Sequence, residues 1–251
     1  MIKINVLTKG FVSANSYSFL GPLINFKKTF SDLGIKISFF FSADDNFYDC
    51  DYLIFDSKFF TYSWGKKELE ETKRFFINSK KKTNRLIFFD LSDSSSFIIA
   101  DALELSDVYL KNQILKNKKL YLKKFYGRRI FSDYYNKKFG VLDPEPEKFK
   151  NPNKKNLKKI KVSWNSCFSN YSFFGNYLMK LFQYTGNPFF LKYPKIRINY
   201  KRKEELSCRM NLEYSKKSIS FQRQKISELL KQNYSFDKVS RIKYFSELRR
   251  S

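Results

Sequence analysis

The sequence predicts an α/β protein whose N-terminal part is a Rossmann-like parallel sheet. Short runs rich in β-branched and aromatic residues recur along the chain, and segments with helical spacing of apolar residues separate them. The first such unit reads strand, loop, helix, glycine, strand within about 40 residues, which is a βαβ unit with parallel pairing and a right-handed crossover. The predicted strands are Ile2–Leu7, Ile35–Phe41, Asp51–Asp56, Arg85–Asp90, Asp107–Lys111 and Ile160–Trp164.

Helices are predicted between these strands and after the last of them, from the 3.6-residue spacing of their apolar side chains. Gly34 supplies a stop signal for the first of them. Residues 125–160 are predicted to be irregular, because aromatic residues, Gly, Pro and Lys interrupt any period there. The predicted helices are Tyr17–Leu33, Trp64–Lys80, Ile98–Leu105, Phe173–Tyr184 and Ser218–Lys231.

The charge of the chain is large and unevenly distributed. Its formal net charge is +25, of which residues 1–100 contribute +3 and residues 101–251 contribute +22. Such a field favours phosphate-bearing partners: nucleic acid, nucleotide sugars or anionic lipid head groups. The chain contains 38 Lys and 11 Arg, a bias that an AT-rich gene also produces, and we assign about half of the basic excess to it.

Residue usage narrows the possible chemistry. Histidine is absent, so any acid–base step falls to carboxylates, Lys, Tyr or Cys. Cys50, Cys167 and Cys208 are widely spaced and contain no CxxC pair, which predicts reduced thiols and no zinc site. The strand-like start of the chain and its short apolar runs predict neither a signal peptide nor a membrane span.

Candidate ligand-binding residues follow the predicted strands, because open α/β sheets bind ligands outside the carboxyl ends of their strands. The loop after the first strand lacks a GxGxxG pattern, so a dinucleotide site is not expected, and Gly10 is more simply a turn residue. The rule selects Gly10, Ser13, Asn15, Asp56, Asp90, Asp93 and Lys111.

The segment Asp90–Phe97 is the strongest chemical candidate. It carries two carboxylates and several hydroxyls out of a buried strand into a loop, where they could bind sugar hydroxyls or take a proton from one. The alternative is a turn in which residues of Asp93–Ser96 cap the helix predicted from Ile98.

Several segments resemble bacterial GT-B glycosyltransferases of the group 1 and exostosin-like kind. Ser207–Tyr214, Phe221–Lys225 and Ser240–Arg249 resemble the early part of the donor domain of that family. Asp107–Gln113 and Tyr126–Tyr135, together with the two aspartates after the fourth strand, resemble its acceptor-side half.

This resemblance implies two Rossmann-like domains, with residues 1–200 on the acceptor side and residues 201–251 opening the nucleotide-sugar domain with a strand at Leu206–Met210. The end of the chain is predicted to be a helix with an apolar face of Tyr244, Phe245 and Leu248. No stop signal follows it, so the donor domain is expected to be cut short and the isolated chain inactive. The implied function is transfer of a sugar from a nucleotide-activated donor to a glycan or lipid-linked acceptor in surface polysaccharide synthesis, without a cofactor or a metal.

The resemblance also implies roles for individual residues. An Arg suits a diphosphate because its planar fork binds two oxygens at once, although an exposed arginine on a solvated helix face is the plainer interpretation. The expected catalytic residues are Asp90 and Asp93; the expected acceptor-binding residues are Gly10, Ser13, Asn15, Asp56, Lys111 and Arg128; and the expected donor diphosphate-binding residues are Arg209, Arg223 and Lys225.

Two other functions remain open from sequence. The first is nucleic-acid binding by the basic back half, disfavoured because the aromatic residues fall at core spacings and no RRM, KH or helix-turn-helix pattern occurs. The second is a non-catalytic half-protein that docks on a partner. The expected location is cytoplasmic, with possible peripheral contact at the anionic inner face of the membrane.

Overall fold

The computed structural model contains a six-stranded sheet in which all neighbouring strands are parallel. It describes residues 1–12, 14–60, 68–143, 150–164, 174–185, 187–190 and 212–233. The strands are β1 (Ile2–Leu7), β2 (Ile35–Phe40), β3 (Tyr52–Asp56), β4 (Arg85–Asp90), β5 (Val108–Lys111) and β6 (Ile160–Val162). Their order is β2-β1-β3-β4-β5-β6. The predicted α/β class with a Rossmann-like parallel sheet is therefore confirmed.

The described helices separate successive strands as far as β5, except between β2 and β3, which the 3₁₀ turn Asp45–Tyr48 connects. They are α1 (Ala14–Asn25), α2 (Lys27–Asp32), α3 (Leu69–Lys81), α4 (Ala100–Leu105), α5 (Ile130–Phe139), α6 (Gly175–Thr185) and α7 (Lys217–Asn233). Short 3₁₀ helices connect several of them. None of the helices in the described ranges is long and apolar enough to cross a lipid bilayer.

Hydrophobic side chains cover both faces of the sheet, as a parallel sheet requires. Successive residues of one strand point to opposite faces, so Phe88 packs in one cluster and Phe89 in the other. The first cluster includes Phe76 from α3, and the second includes Phe19 from α1 and Phe182 from α6. Apolar side chains cover both faces of the sheet. The polar side chains at the ends of the strands therefore lie at its carboxyl edge.

Two of the predicted elements differ from the structure. The helix predicted over Tyr17–Leu33 is two helices, α1 and α2, separated at Phe26, and α1 begins already at Ala14. Asn15 is consequently in the first turn of a helix and not in a loop. Gly34 does end this region, with a φ of +75° that favours glycine.

Part of the range 125–160, which was predicted to be irregular, is helical, because residues Ile130–Phe139 form α5. This helix ends at Gly140, whose left-handed φ of +65° is the usual glycine stop. The pattern was missed because its apolar residues are aromatic and its flanks are rich in Gly, Arg and Pro.

The chain divides into two compact units. The first comprises Met1–Lys124 and Glu147–Lys195, and it contains the whole sheet. The second comprises Phe125–Pro146 and Ile196–Ser251, including α5 and α7. This division assigns residues 125–146 to the second unit, whereas the predicted boundary at residue 200 assigned them to the first. The strand predicted at Leu206–Met210 and the terminal helix lie outside the described residues.

Candidate functional site at the carboxyl edge of the sheet

The strand order places a switch point between β1 and β3. β1 has β2 on one side and β3 on the other, and ligands of such sheets bind at the carboxyl ends of strands that flank this point. Thr8 directly follows β1, and its hydroxyl donates a 2.7 Å hydrogen bond to Oδ2 of Asp56, the last residue of β3. The amide of Gly10 in turn donates to the Thr8 hydroxyl at 3.0 Å. Gly10 has a φ of +75° and makes the turn that the sequence suggested.

Asp56 is fully buried and its hydrogen-bond donors are neutral. Besides Thr8, the backbone amide of Lys58 donates to Oδ1 at 2.8 Å. Burial raises the pKa of Asp56 to about 6, against the lowering effect of these hydrogen bonds. The carboxyl group therefore changes charge close to neutral pH.

Asp90, the last residue of β4, has a different environment. It lies in register with Lys111 of β5, and the Lys111 ammonium contacts its Oδ2 at 2.7 Å with both side chains fully buried. The Tyr109 hydroxyl donates to the same oxygen at 2.6 Å, and the amide of Ser92 donates to Oδ1 at 2.8 Å. Burial and the negative charge of Asp90 raise the pKa of Tyr109 well above its usual value. Both carboxylate oxygens are thus already occupied by protein donors.

Lys111 is held on several sides. In addition to Asp90, its ammonium donates to the Ser92 hydroxyl at 2.6 Å and to the Ser92 carbonyl at 3.3 Å. A fully buried lysine with these partners holds the loop after β4 in one position. This geometry makes Lys111 and Asp90 positioning residues for that loop, and their contact with an acceptor stays a prediction.

A polar cavity of about 210 Å³ lies at this edge. Asn15 lies at the cavity, and its Nδ2 donates hydrogen bonds to the Leu91 carbonyl at 2.7 Å and to the carboxylate of Asp93. Asp93 is exposed, in contrast to Asp90. Oδ1 of Asn112 is buried and has no hydrogen-bond partner within the part of the chain that the structure describes. The cavity is lined by Asn15, Ser92, Asp93, Asn112 and Gln113.

The alternative of a helix cap formed by Asp93–Ser96 is wrong for α4. The N-cap residue of this helix is Ile99, and no side chain caps it. The Tyr109 hydroxyl instead accepts a hydrogen bond from the amide of Ile99 at 3.1 Å. The carboxylate and the hydroxyls of Asp93–Ser96 are therefore not used to cap α4.

The structure brings together six of the predicted site residues at the carboxyl edge of the first unit. Four residues that line or support the edge were not singled out from sequence, namely Thr8, Ser92, Asn112 and Gln113. Each follows a strand within two residues, so the carboxyl-end rule applied to every polar side chain would have found them. The six predicted residues are Gly10, Asn15, Asp56, Asp90, Asp93 and Lys111.

Arg128 belongs to the second unit. Gly127 and Arg128 both have a φ of +60°, which is unusual for an arginine. A Cβ at Gly127 would come within 2.9 Å of the Ser132 side chain, so this close approach needs glycine. Ser132 and Ser218 both donate to the buried Asp143, and these bonds hold its pKa below the usual value although burial opposes them. The network joins the first turns of α5 and α7.

Of the predicted diphosphate-binding residues, the structure describes two, both on α7. The Arg223 guanidinium lies 5.2 Å from the centre of the Tyr214 ring. The Lys225 ammonium lies 5.5 Å from the Phe139 ring and 5.7 Å from the Phe221 ring. These are cation–π distances. Arg209 and the acceptor candidate Ser13 lie outside the described residues.

No group of three or more His, Cys, Asp or Glu side chains within the described ranges could hold a metal ion. Comparison with known proteins does not assign the chain to a group: no family model, no curated protein and no solved structure matches it. The geometry of the carboxyl edge is therefore the basis on which a function is inferred.

Proposed function

We propose that the chain is the acceptor-side part of a glycosyltransferase, which transfers a sugar from a nucleotide-activated donor to a glycan or lipid-linked acceptor. The observation that carries the proposal is the cavity at the carboxyl edge. Its lining consists of amides, a hydroxyl and one carboxylate, which are groups that exchange hydrogen bonds with sugar hydroxyls. Asn112 is one of the lining amides, and its buried Oδ1 has no hydrogen-bond partner among the described residues.

The size of the cavity fits a small polar group. Its volume of about 210 Å³ is below the roughly 300 Å³ at which drug-sized pockets begin. One terminal sugar residue of a longer acceptor is a ligand of this scale. The rest of such an acceptor would extend into solvent from the open side.

The geometry favours Asp93 over Asp90 as the group that meets the acceptor. Asp90 is fully buried and bonded to Lys111, Tyr109 and Ser92, so a substrate hydroxyl would have to displace a protein donor. Asp93 is exposed at the cavity, and Asn15 orients its carboxylate. In an inverting transfer Asp93 would take the acceptor proton, whereas a retaining transfer needs no such base.

The test is binding of neutral sugars. Saturation-transfer NMR with a panel of mono- and disaccharides, followed by mapping of the side-chain amide signals, should show shifts at Asn15, Asn112 and Gln113. Gln113→Ala and Asn112→Ala should each weaken binding by roughly fivefold, because one hydrogen bond contributes about 1 kcal/mol.

Asn78→Ala is the matched control, since Asn78 is an exposed amide on α3 and does not line the cavity. Its affinity should equal that of the parent chain. Absence of sugar binding, or equal affinity in all three variants, would remove the basis of the proposal. Salt-dependent shifts with an oligonucleotide would instead favour the nucleic-acid alternative.

A further inference from the structure

Helix α6 is apolar on two opposite sides. Met179 and Phe182 are fully buried and pack in the second core cluster. On the other side, Tyr177, Leu181 and Tyr184 are 70%, 44% and 79% exposed. A helix that is apolar on both sides is expected to be covered on both sides.

The exposed residues of α6 form one stripe. The spacing i, i+4, i+7 of the three α6 residues places them on one side of the helix, and at about 100° per residue this stripe lies opposite the buried side. The 3₁₀ turn Pro188–Phe190 contacts α6 and carries Phe189, which is 84% exposed. We call Tyr177, Leu181, Tyr184 and Phe189 the aromatic face.

The charge of the sequence that contains the aromatic face helps to select among possible occupants. Residues 151–200 contain nine Lys or Arg and no Asp or Glu, and residues 174–190 contain one Lys and no Asp or Glu. Within α6 the charged residue is Lys180, which is exposed next to the stripe. Tyrosine, phenylalanine and lysine side chains, with no carboxylate in residues 174–190, match the boundary of an anionic bilayer, where amphipathic rings and cations are both favourable.

We propose that the aromatic face docks on the surface of an anionic lipid bilayer, with α6 lying in the plane of the interface. Tyrosine rings enter the head-group region with their hydroxyls directed to water, and Phe189 and Leu181 reach the edge of the acyl region. Lys180 contacts lipid phosphates. This goes beyond the proposed transfer reaction, since it concerns the surface at which the protein works and uses none of the cavity residues.

Vesicle sedimentation tests the proposal with the whole chain. The chain should pellet with vesicles of phosphatidylcholine containing roughly one-third phosphatidylglycerol, and less with phosphatidylcholine alone. The triple variant Tyr177→Ser, Tyr184→Ser, Phe189→Ser should lower the partition coefficient at least about tenfold, because three large apolar side chains no longer leave water.

A triple variant with the same chemistry in other elements is the matched control: Leu33→Ser, Phe41→Ser, Ile77→Ser, at positions that are 69%, 51% and 44% exposed. Circular dichroism should show that both variants are folded, and the control should partition like the parent chain. Tyr184→Trp gives a direct readout, with a blue-shifted emission that brominated lipids quench.

Three outcomes would overturn the proposal. The parent chain could fail to bind anionic vesicles. The aromatic-face variant could bind as tightly as the parent, in which case charge alone is responsible. Light scattering could show an oligomer of the parent chain that the variant loses, which would make the face a contact between copies of the chain.

Discussion

Two aspartates end neighbouring strands of the sheet in opposite electrostatic environments. Asp56 and Asp90 are both fully buried at the carboxyl edge, and each accepts a hydrogen bond from the backbone amide two residues later. Asp90 also contacts the ammonium of Lys111 at 2.7 Å, whereas the side-chain donor to Asp56 is the neutral hydroxyl of Thr8. One carboxylate is balanced by a buried cation, and the other has a pKa raised to about 6.

Strand register explains the difference. Asp90 lies directly opposite Lys111 in the pairing of β4 with β5. Asp56 lies opposite Phe89 on one side, and on the other side the register that pairs Leu7 with Phe55 brings Thr8 next to it. The same sequence signal, an aspartate that ends an apolar strand, therefore produces a structural ion pair in one place and a titratable group in the other.

The largest effect is expected from breaking the ion pair. Lys111→Met leaves the Asp90 carboxylate buried without its cation and should lower the free energy of unfolding by about 3 to 5 kcal/mol. Urea denaturation followed by circular dichroism measures this loss. The double variant Asp90→Asn, Lys111→Met removes both charges and should recover much of the stability. A double variant as unstable as the single one would show that packing of the Lys111 stem, and not charge, dominates.

Removing the charge of Asp56, at the end of β3, should raise the free energy of unfolding, whereas breaking the ion pair of Asp90 and Lys111 lowers it. The pKa of Asp56 is about 6 in the folded chain and near 3.8 when unperturbed. A raised folded pKa means that the folded state holds the proton more tightly, so this group favours folding below about pH 4 and that contribution is lost as pH rises to about 6. At about 1.4 kcal/mol per pKa unit the loss is about 3 kcal/mol.

Asp56→Asn should therefore raise stability at neutral pH by up to about 3 kcal/mol and flatten the fall in stability between about pH 4 and pH 6. Unfolding free energies of both chains across that interval provide the measurement. A parent chain whose stability rises over this interval, with a variant that removes the rise, would mean that the folded pKa of Asp56 is lowered.

The sequence could predict the position of these residues but not their environments. Strand ends, the parallel sheet and most helices follow from apolar spacing and from glycines such as Gly34. The pairing of Asp90 with Lys111 depends on register between strands that are 17 residues apart in the chain, and apolar spacing within one strand does not contain it. For the same reason Thr8 was overlooked, since its importance arises only when β1 and β3 lie side by side.

The Thr8 hydroxyl is expected to have the next largest effect. Thr8→Val keeps the shape of the side chain but removes the donor to Asp56 and the acceptor for the amide of Gly10. A hydrogen bond to a charged group contributes about 1.5 to 3 kcal/mol, so stability at neutral pH should fall by about 2 kcal/mol. The pKa of Asp56 should rise further, which carbon-detected NMR titration of the carboxyl group can follow. Thr185→Val on α6 is the control, because the Thr185 hydroxyl is exposed and donates to the Leu181 carbonyl of its own helix.

The smallest effect on stability is expected at Asp93. Its carboxylate is exposed and accepts a hydrogen bond from Asn15, so Asp93→Asn should change the free energy of unfolding by less than about 0.5 kcal/mol. The same substitution should weaken sugar binding by roughly tenfold, because an ionised acceptor at the cavity becomes a neutral amide. Asp32→Asn is a suitable control, since Asp32 is an exposed carboxylate at the end of α2 and away from the strand ends. Loss of stability without loss of sugar affinity would assign Asp93 to the support of the loop and would remove the candidate base from the proposed transfer.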